Sequence, residues 1–371
     1  MSRAPLRRTW LRCLCALPLL LLVSCSGSDP EATPPTPSSS AVHDTGSGRP
    51  EHASGPSEGC DQARPAEPGT TDVRIISGGV ERSYQLIIPE SYDGTTPLPV
   101  VFGLHSLTVD YRIVPALSGF GDMAVDYDFI GVSPSGLLGA GQVPYWNAAP
   151  ATDNYDLAFI GELLDHLEAT LCVDTARVFS VGMSNGAQMS SLLACRLGDR
   201  IAAIAAIAGV EQNEPCDGPP VPVIAFHGLE DAIVPYEGGG LNSVTIADQN
   251  YYEGDLPAGI ATPTGVDESM QRWAEHNGCD PEAREERISA EVRKRTWQNC
   301  RAATVLYVID NGGHSWPGKP QPAFEAQFGH TTTDIDATTL LFQFFFDPAA
   351  GSRAASGTDG TTVTTRVTPP P

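Results

Sequence analysis

Basic residues are scarce in this chain of 371 residues. Lys and Arg number 22 against 45 Asp and Glu, which gives a formal net charge of −23 at pH 7. Because an acidic surface repels phosphate groups, this balance disfavours nucleic acid and anionic lipid headgroups as partners. It favours substrates that are neutral or carry their charge far from the reacting bond, or the acidity serves the solubility of the protein alone.

The spacings that are typical of metal-binding motifs are also lacking. No two histidines show H-x-x-x-H spacing, and no Cys/His pairs show the spacing of a zinc site. A metal site would have to be assembled by the fold from His105, His227 and His314. We therefore expect no catalytic metal. No internal repeat is visible.

Gly182-Met183-Ser184-Asn185-Gly186 is the most informative motif that the chain does contain. It follows the apolar, strand-like run 178–181 and opens into the helix-like segment 187–194. This is the G-x-S-x-G motif in the strand–turn–helix context of a nucleophile elbow. Such a turn lifts the serine clear of the backbone, where a base can take its proton.

Two later strand patterns end in residues that could complete a catalytic triad. The segment 221–226 runs into His227-Gly228-Leu229-Glu230-Asp231, and the segment 302–310 runs into a loop with His314. Nucleophile, acid and histidine thus follow the chain order expected after an elbow. We assign Ser184 as nucleophile, His314 as general base and then acid, and Asp231 as the carboxylate that orients the imidazole.

Each partner has an alternative. Glu230 adjoins Asp231 and could be the acid, and His330 is a second candidate for the base. His227 precedes the acid, and we interpret it as a structural residue of that loop.

Acyl transfer also needs N–H donors for the negative oxygen that develops in the transition state. We expect one from the backbone of Asn185, directly after the nucleophile, and one from Leu107, after an earlier strand that ends at His105. Three aromatic side chains in loops are candidates either for a substrate wall or for the core: Tyr145, Trp146 and Trp316.

The chain resembles the secreted esterases grouped as polyhydroxybutyrate depolymerase-like proteins and feruloyl esterases of carbohydrate esterase family one. The resemblance covers roughly residues 59 to 347 and is carried by the segments 102–105, 156–160, 171–179, 182–186, 193–195, 227–236 and 312–318. It implies an α/β-hydrolase fold, no cofactor, and cleavage of carboxylic esters outside the cytoplasm. Two departures lie near the expected acyl pocket: Ser106 replaces the usual glycine, and 107–110 does not match the family's Cys-bearing loop.

The N-terminus has the pattern of an export signal. Four arginines precede the apolar stretch 14–23, which is too short to span a bilayer. The sequence Leu22-Val23-Ser24-Cys25 resembles a bacterial lipobox, in which Cys25 would be lipidated; ordinary cleavage nearby is the alternative. Residues 7–12 resemble a twin-arginine signal, and a generic basic region fits equally well.

Composition divides the chain into four parts. We expect a lipoprotein-type signal peptide at 1–24, a disordered tether rich in Pro, Ser and Gly at 25–58, a catalytic domain at 59–347, and a disordered tail at 348–371. The polar insert 237–265 within the domain either covers the site or forms a surface loop.

Six cysteines remain in the expected catalytic domain, an even number in an exported chain. Nearness in sequence and the family resemblance favour the disulfides Cys195–Cys216, Cys279–Cys300 and Cys60–Cys172.

The order of elements predicts an α/β domain with a mostly parallel central sheet flanked by helices. Strands are expected at 73–76, 84–88, 100–104, 129–132, 178–181, 204–207, 223–226 and 304–309, the first two as an antiparallel pair. Helices are expected at 156–171, 267–277 and 338–346.

These observations favour an exported serine carboxylesterase, anchored at the cell surface or in the periplasm through a lipid, or freely secreted. Its substrate would be a hydroxycinnamoyl or acetyl ester of plant polysaccharide, or alternatively a poly(3-hydroxyalkanoate) or another polyester. An acyltransferase and a non-catalytic surface binding lipoprotein are the alternatives from other classes. The oligomeric state is left open.

Overall fold

The structure is a computed structural model that describes residues 55–62, 66–139, 142–149, 154–212, 214–239 and 263–347. The predicted signal peptide, Cys25, most of the tether, residues 240–262 of the insert and the C-terminal tail lie outside the described residues. The catalytic body begins earlier than predicted, because Ser57 is buried and its hydroxyl donates to the carbonyl of Leu171 at 2.8 Å. Residues 55–58 therefore belong to the body and not to the tether.

A ten-stranded sheet forms the centre of the domain. Its strands, in chain order, are β1 Gly69–Ser77, β2 Val80–Ile88, β3 Leu98–Leu104, β4 Ile130–Pro134, β7 Val173–Met183, β8 Ala203–Ile207, β9 Val223–Gly228, β10 Ala283–Arg287, β11 Val292–Trp297 and β12 Thr304–Ile309. The short strands β5 Leu137–Leu138 and β6 Pro144–Tyr145 form a separate hairpin.

The spatial order of the large sheet is β1-β2-β4-β3-β7-β8-β9-β12-β11-β10. The six strands from β4 to β12 in this order run parallel to one another. Antiparallel pairs close both edges, β1 and β2 on one side and β10 and β11 on the other. This confirms the predicted α/β-hydrolase fold with a mostly parallel sheet.

Helices cover both faces of the sheet, since the parallel strands are apolar on both sides. The helices are α1 Val114–Ser118, α2 Phe120–Asp126, α3 Tyr155–Thr170, α4 Asn185–Arg196, α5 Val266–His276, α6 Pro322–Phe328 and α7 Ala337–Phe346. The buried side chains of α3, α4 and α5 pack in one core, and those of α2 and α7 pack in the other. None of the helices within the described ranges is long and apolar enough to cross a membrane.

Three disulfides link the described cysteines in the predicted pairs: Cys60–Cys172, Cys195–Cys216 and Cys279–Cys300. The first closes a sequence separation of 112 residues and ties the start of the body to the entry of β7. The other two each close a separation of 21 residues.

The predicted strands and the three predicted helices are present, with ends that differ by a few residues. The sequence prediction missed β10 and β11, in which charged residues are dense, and the short helices α1, α2 and α6.

Candidate active site

Ser184 lies at the sharp turn between β7 and α4, as the elbow motif predicts. Its backbone has φ 57° and ψ −123°, a conformation that non-glycine residues rarely adopt. The flanking glycines leave room for this turn. A Cβ on Gly182 would lie 2.3 Å from the carbonyl carbon of Gly186, and a Cβ on Gly186 would lie 2.3 Å from the Leu104 carbonyl oxygen.

Asp231 and His314 are brought to the same edge of the sheet as Ser184. Asp231 follows β9, His314 follows β12 and Ser184 follows β7. These strands are parallel and close together in the sheet. The carboxyl ends of parallel strands share one edge, which is where α/β sheets build their sites. The Nδ1 atom of His314 lies 2.8 Å from Oδ2 of Asp231, and both side chains are buried.

Four groups surround the Asp231 carboxylate. Its Oδ1 accepts hydrogen bonds from the backbone N–H groups of Ile233 and Val234, at 2.9 and 2.8 Å. Its Oδ2 lies 2.8 Å from His314 Nδ1 and 3.4 Å from His227 Nε2. Burial alone would raise the pKa of Asp231, but the two histidines outweigh it and hold the pKa below its ordinary value. The group is therefore a carboxylate at neutral pH.

Ser184 and His314 are both largely buried, with 8% and 6% of their surface exposed. The contacts recorded within the described part of the chain include no hydrogen bond between Ser184 Oγ and the His314 imidazole. Such bonds are often loose in the absence of substrate and tighten in the complex.

The alternative partners lie elsewhere. Glu230 is exposed to solvent beside Asp231. The imidazole of His330 is 3.0 Å from the carboxylate of Glu291, outside the Asp231–His314 pair. His227 is buried, and its Nε2 lies 2.9 Å from the Val234 carbonyl oxygen, which fits the predicted structural position in the acid loop.

Two backbone N–H groups near Ser184 are free to bind an oxyanion. Asn185 is the first residue of α4, where an N–H has no carbonyl partner within the helix. The N–H of Leu107 likewise makes no hydrogen bond to another described residue. Between them, the hydroxyl of Ser106 donates to the carbonyl of Met183 at 3.1 Å, which joins the loop after β3 to the elbow.

Trp146 fastens these two backbone segments together. The Asn185 amide accepts from the N–H of Trp146 at 2.7 Å and donates to its carbonyl at 3.0 Å. The indole Nε1 of Trp146 donates to the carbonyl of His105 at 3.0 Å, next to the loop that holds Leu107. Trp146 thus binds the residue of one candidate donor through its backbone and the end of the strand before the other through its indole.

The structure corrects two of the three predicted wall residues. Trp146 is completely buried, so its ring cannot form a surface that substrate touches. Trp316 is also buried, and its Nε1 donates to the Thr338 hydroxyl in the core beneath α7. Tyr145, on the short strand β6, is partly exposed and stays a prediction.

A buried polar network supports the same region, and the sequence analysis missed it. Arg82 pairs with Asp156 at 2.5 Å and donates to the carbonyl of Ser135, while Asp156 also accepts from the N–H of Asn147. The His105 ring lies between two backbone segments, with Nδ1 donating to the Ser106 carbonyl and Nε2 accepting from a neighbouring N–H. Because these pairs join residues that are far apart in the chain, no local sequence motif predicts them.

Burial lowers the pKa of His105 to about 4, so this imidazole is neutral at pH 7.

Within the described ranges, no group of three or more His, Cys, Asp or Glu side chains is arranged to hold a metal ion.

Comparison with known proteins adds sequence relatives to this geometry. No family model matches the chain. Feruloyl esterase C of Emericella nidulans is 32% identical over 218 residues, which cover 57% of this chain and 74% of that protein. A "Probable feruloyl esterase C" of Aspergillus niger is 28% identical over 262 residues, which cover 67% of this chain and 83% of that protein.

Among solved structures, acetyl xylan esterase from Aspergillus awamori superimposes with a TM-score of 0.48 and 15% identity, over 66% of this chain and 94% of that one. The assignment rests on the sequence relatives and on the strand order of the sheet. By the 32% identity to a relative of which it covers 74%, the chain belongs to the feruloyl esterase family and is a carboxylesterase.

Proposed function

We propose that the protein hydrolyses esters through a Ser184–His314–Asp231 triad and a covalent acyl-enzyme. The observation that carries this proposal is the 2.8 Å contact between His314 Nδ1 and Asp231 Oδ2, at the sheet edge where the elbow presents Ser184. An anionic carboxylate on Nδ1 keeps the other ring nitrogen, Nε2, free to accept the serine proton.

The reaction proceeds in two steps, acylation of the serine and deacylation by water. Ser184 Oγ attacks the ester carbonyl carbon while His314 takes its proton, and the oxyanion forms opposite the N–H groups of Asn185 and Leu107. Collapse of this intermediate breaks the bond to the alcohol, which leaves with the proton from His314, and the acyl group stays on Ser184. Water then repeats the attack with His314 as base, and the carboxylic acid is released.

The substrate that we propose is a hydroxycinnamoyl ester, such as a feruloyl ester of plant polysaccharide. Its support is the similarity of the chain to feruloyl esterases, together with its acidic charge, which suits a neutral acyl group. Acetyl esters of the same polysaccharides fit the mechanism equally well and are the nearest extension.

The test is turnover of a feruloyl ester, an acetylated xylan fragment and a hydroxybutyrate oligomer side by side, by wild type and Ser184→Ala. We expect the feruloyl ester to have the highest kcat/KM. The serine variant should lose activity by far more than about a hundredfold with an unchanged thermal midpoint. Retained activity would refute the nucleophile, and fastest turnover of the hydroxybutyrate oligomer would replace the substrate with a polyester. Addition of an alcohol would reveal acyl transfer as an ester product.

We propose further that the enzyme is exported and held at a membrane by lipid on Cys25. The support is the lipobox-like sequence 22–25 behind a basic and apolar segment, and the three disulfides, which persist in oxidising compartments. Cys25→Ser should move the protein from the membrane to the soluble fraction. A mature wild-type N-terminus without lipid, measured by mass spectrometry, would leave a freely secreted esterase.

A further inference from the structure

Two histidines share one oxygen of the acid loop. Asp231 Oδ2 lies 2.8 Å from His314 Nδ1 and 3.4 Å from His227 Nε2. His227 follows directly on the apolar part of β9, and its side chain is completely buried. Its position is fixed from the other side by the Val234 carbonyl oxygen, 2.9 Å from the same Nε2.

These contacts determine where the proton of His227 is. A carbonyl oxygen can only accept, so Nε2 must carry a hydrogen, which it donates to Val234 while Asp231 Oδ2 lies 3.4 Å from the same nitrogen. The other nitrogen, Nδ1, is buried without a hydrogen-bond partner among the described residues. A second proton on Nδ1 would be an unpaired buried donor on a charged ring, which costs free energy. His227 therefore carries one N–H, on Nε2, which donates to the Val234 carbonyl and lies beside the Asp231 carboxylate.

We propose that His227 is a positioning residue that fixes Asp231 Oδ2 and sets its strength as an acceptor for His314. This inference rests on the proposed triad. An N–H group this close to a carboxylate oxygen stabilises its negative charge, and His227 is one of the groups that lower the pKa of Asp231. It therefore weakens the carboxylate as a partner for the His314 imidazolium. The same N–H, together with the backbone bonds to Oδ1, prevents the carboxylate from rotating away when His314 gains its proton.

Other charged groups stand further from the pair. The edge of the Tyr236 ring faces His227 with the ring centroids 5.8 Å apart, and its hydroxyl is directed away, to Asp267, which Arg295 pairs at 2.6 Å. On the side of His314, the ring of Phe328 is the recorded aromatic neighbour. Among the described residues, Glu230 is exposed in the acid loop, and His330 pairs with Glu291 near the His314 loop. Asp310, at the start of the His314 loop, pairs with Arg287 and Arg293.

The test compares two amides at one position. In His227→Gln, the side-chain nitrogen reaches approximately the place of Nε2 and restores a donor to Asp231. In His227→Asn, the nitrogen ends near the place of Nδ1 and leaves Oδ2 without this donor. Tyr236→Phe is the matched control, because it removes a partly buried hydrogen bond beside His227 without changing any group on the carboxylate.

The measurements are kcat/KM for p-nitrophenyl acetate as a function of pH, and the thermal midpoint. We expect the acidic limb of the profile to move to higher pH by about 0.5 to 1 unit in His227→Asn, because a stronger carboxylate holds the His314 proton more tightly. It should stay at the wild-type position in His227→Gln and Tyr236→Phe, even where the thermal midpoint falls.

An acidic limb that coincides in wild type and both His227 variants would overturn the inference and leave His227 a purely structural residue. An equal shift in both variants would also overturn it, since the donor would then not be the cause. A failure of the underlying triad is distinguishable: the wild type would then lack an acidic limb, or Ser184→Ala would keep its activity.

Discussion

Replacement of Asp231 by asparagine should disable the enzyme by changing the tautomer of His314. In wild type, Oδ1 of Asp231 accepts from two backbone N–H groups, those of Ile233 and Val234. An amide can meet that demand only with its oxygen, so its NH₂ group must take the place of Oδ2. It would then point at His314 Nδ1, which lies 2.8 Å from that position.

A donor facing a donor is unfavourable, and the imidazole can escape the clash by moving its proton from Nδ1 to Nε2. His314 Nε2 then carries a hydrogen and cannot accept one from Ser184. The corresponding change in a serine triad lowers kcat about ten-thousandfold, which is about 5 kcal/mol in the activation barrier. The fold should be kept, because both backbone bonds to Oδ1 survive in Asp231→Asn.

The assay is kcat of Asp231→Asn and Glu230→Gln on a feruloyl ester, with thermal midpoints to verify folding. Glu230 is exposed and is the matched control one residue away, so its amide should have near wild-type activity. The reasoning is refuted if Asp231→Asn keeps activity within tenfold of wild type while folded. A larger loss in Glu230→Gln would show that the acid has been misassigned.

Three further predictions concern stability and the supporting network. Removing the Cys60–Cys172 disulfide, which closes a separation of 112 residues, should lower the free energy of unfolding by about 5 kcal/mol against about 3 for each of the shorter loops. Equal urea midpoints for the oxidised and reduced protein would contradict this. Burial lowers the pKa of His105 to about 4, so between pH 6.5 and 4 the unfolded chain binds a proton that the native state does not. The free energy of unfolding should therefore fall by about 3 kcal/mol as the pH drops through this window. His105→Gln, whose amide oxygen can still accept from the Gly136 N–H, should lose most of that pH dependence in urea unfolding, and an unchanged slope would assign it to other groups. Trp146→Phe loses the indole hydrogen bond to the His105 carbonyl and should lower kcat about tenfold with little change in KM. This decrease in kcat is smaller than the one expected for loss of a whole oxyanion donor. An effect on KM alone would argue against a role in positioning.

Much of the fold could be predicted because its strands carry local patterns. Segments such as 100–104 and 223–226 are short apolar runs that fit strands buried on both faces, and the structure confirms both. The prediction failed at β10 and β11, whose sequence is dense in charge. Glu285 on β10 pairs with Arg293 and Arg295 on β11. Ion pairs between the strands thus replace the alternating apolar residues by which a strand is predicted from sequence.

The residues of the candidate site also differ in how well the sequence predicts their positions. Ser184, Asp231 and His314 each stand next to a strand end with a recognisable loop, so their meeting at one sheet edge could be inferred from order along the chain. Trp146 carries no such local signal. Whether an aromatic ring in a loop faces substrate or the interior depends on tertiary neighbours, here the Asn185 amide, that spacing in sequence does not specify.

The departure at Ser106 can now be given a physical account. Glycine is typical where a backbone turn requires positive φ, but Ser106 is not among the residues in that region. The left-handed conformation falls instead on Thr108, with φ 70°, so a side chain is tolerated at 106. The hydroxyl that this substitution introduces donates to the Met183 carbonyl, directly before the proposed nucleophile. It therefore adds a bond between the loop of one proposed oxyanion donor and the elbow of the other. The residue that departs from the family pattern thus strengthens the connection between the two halves of the candidate site.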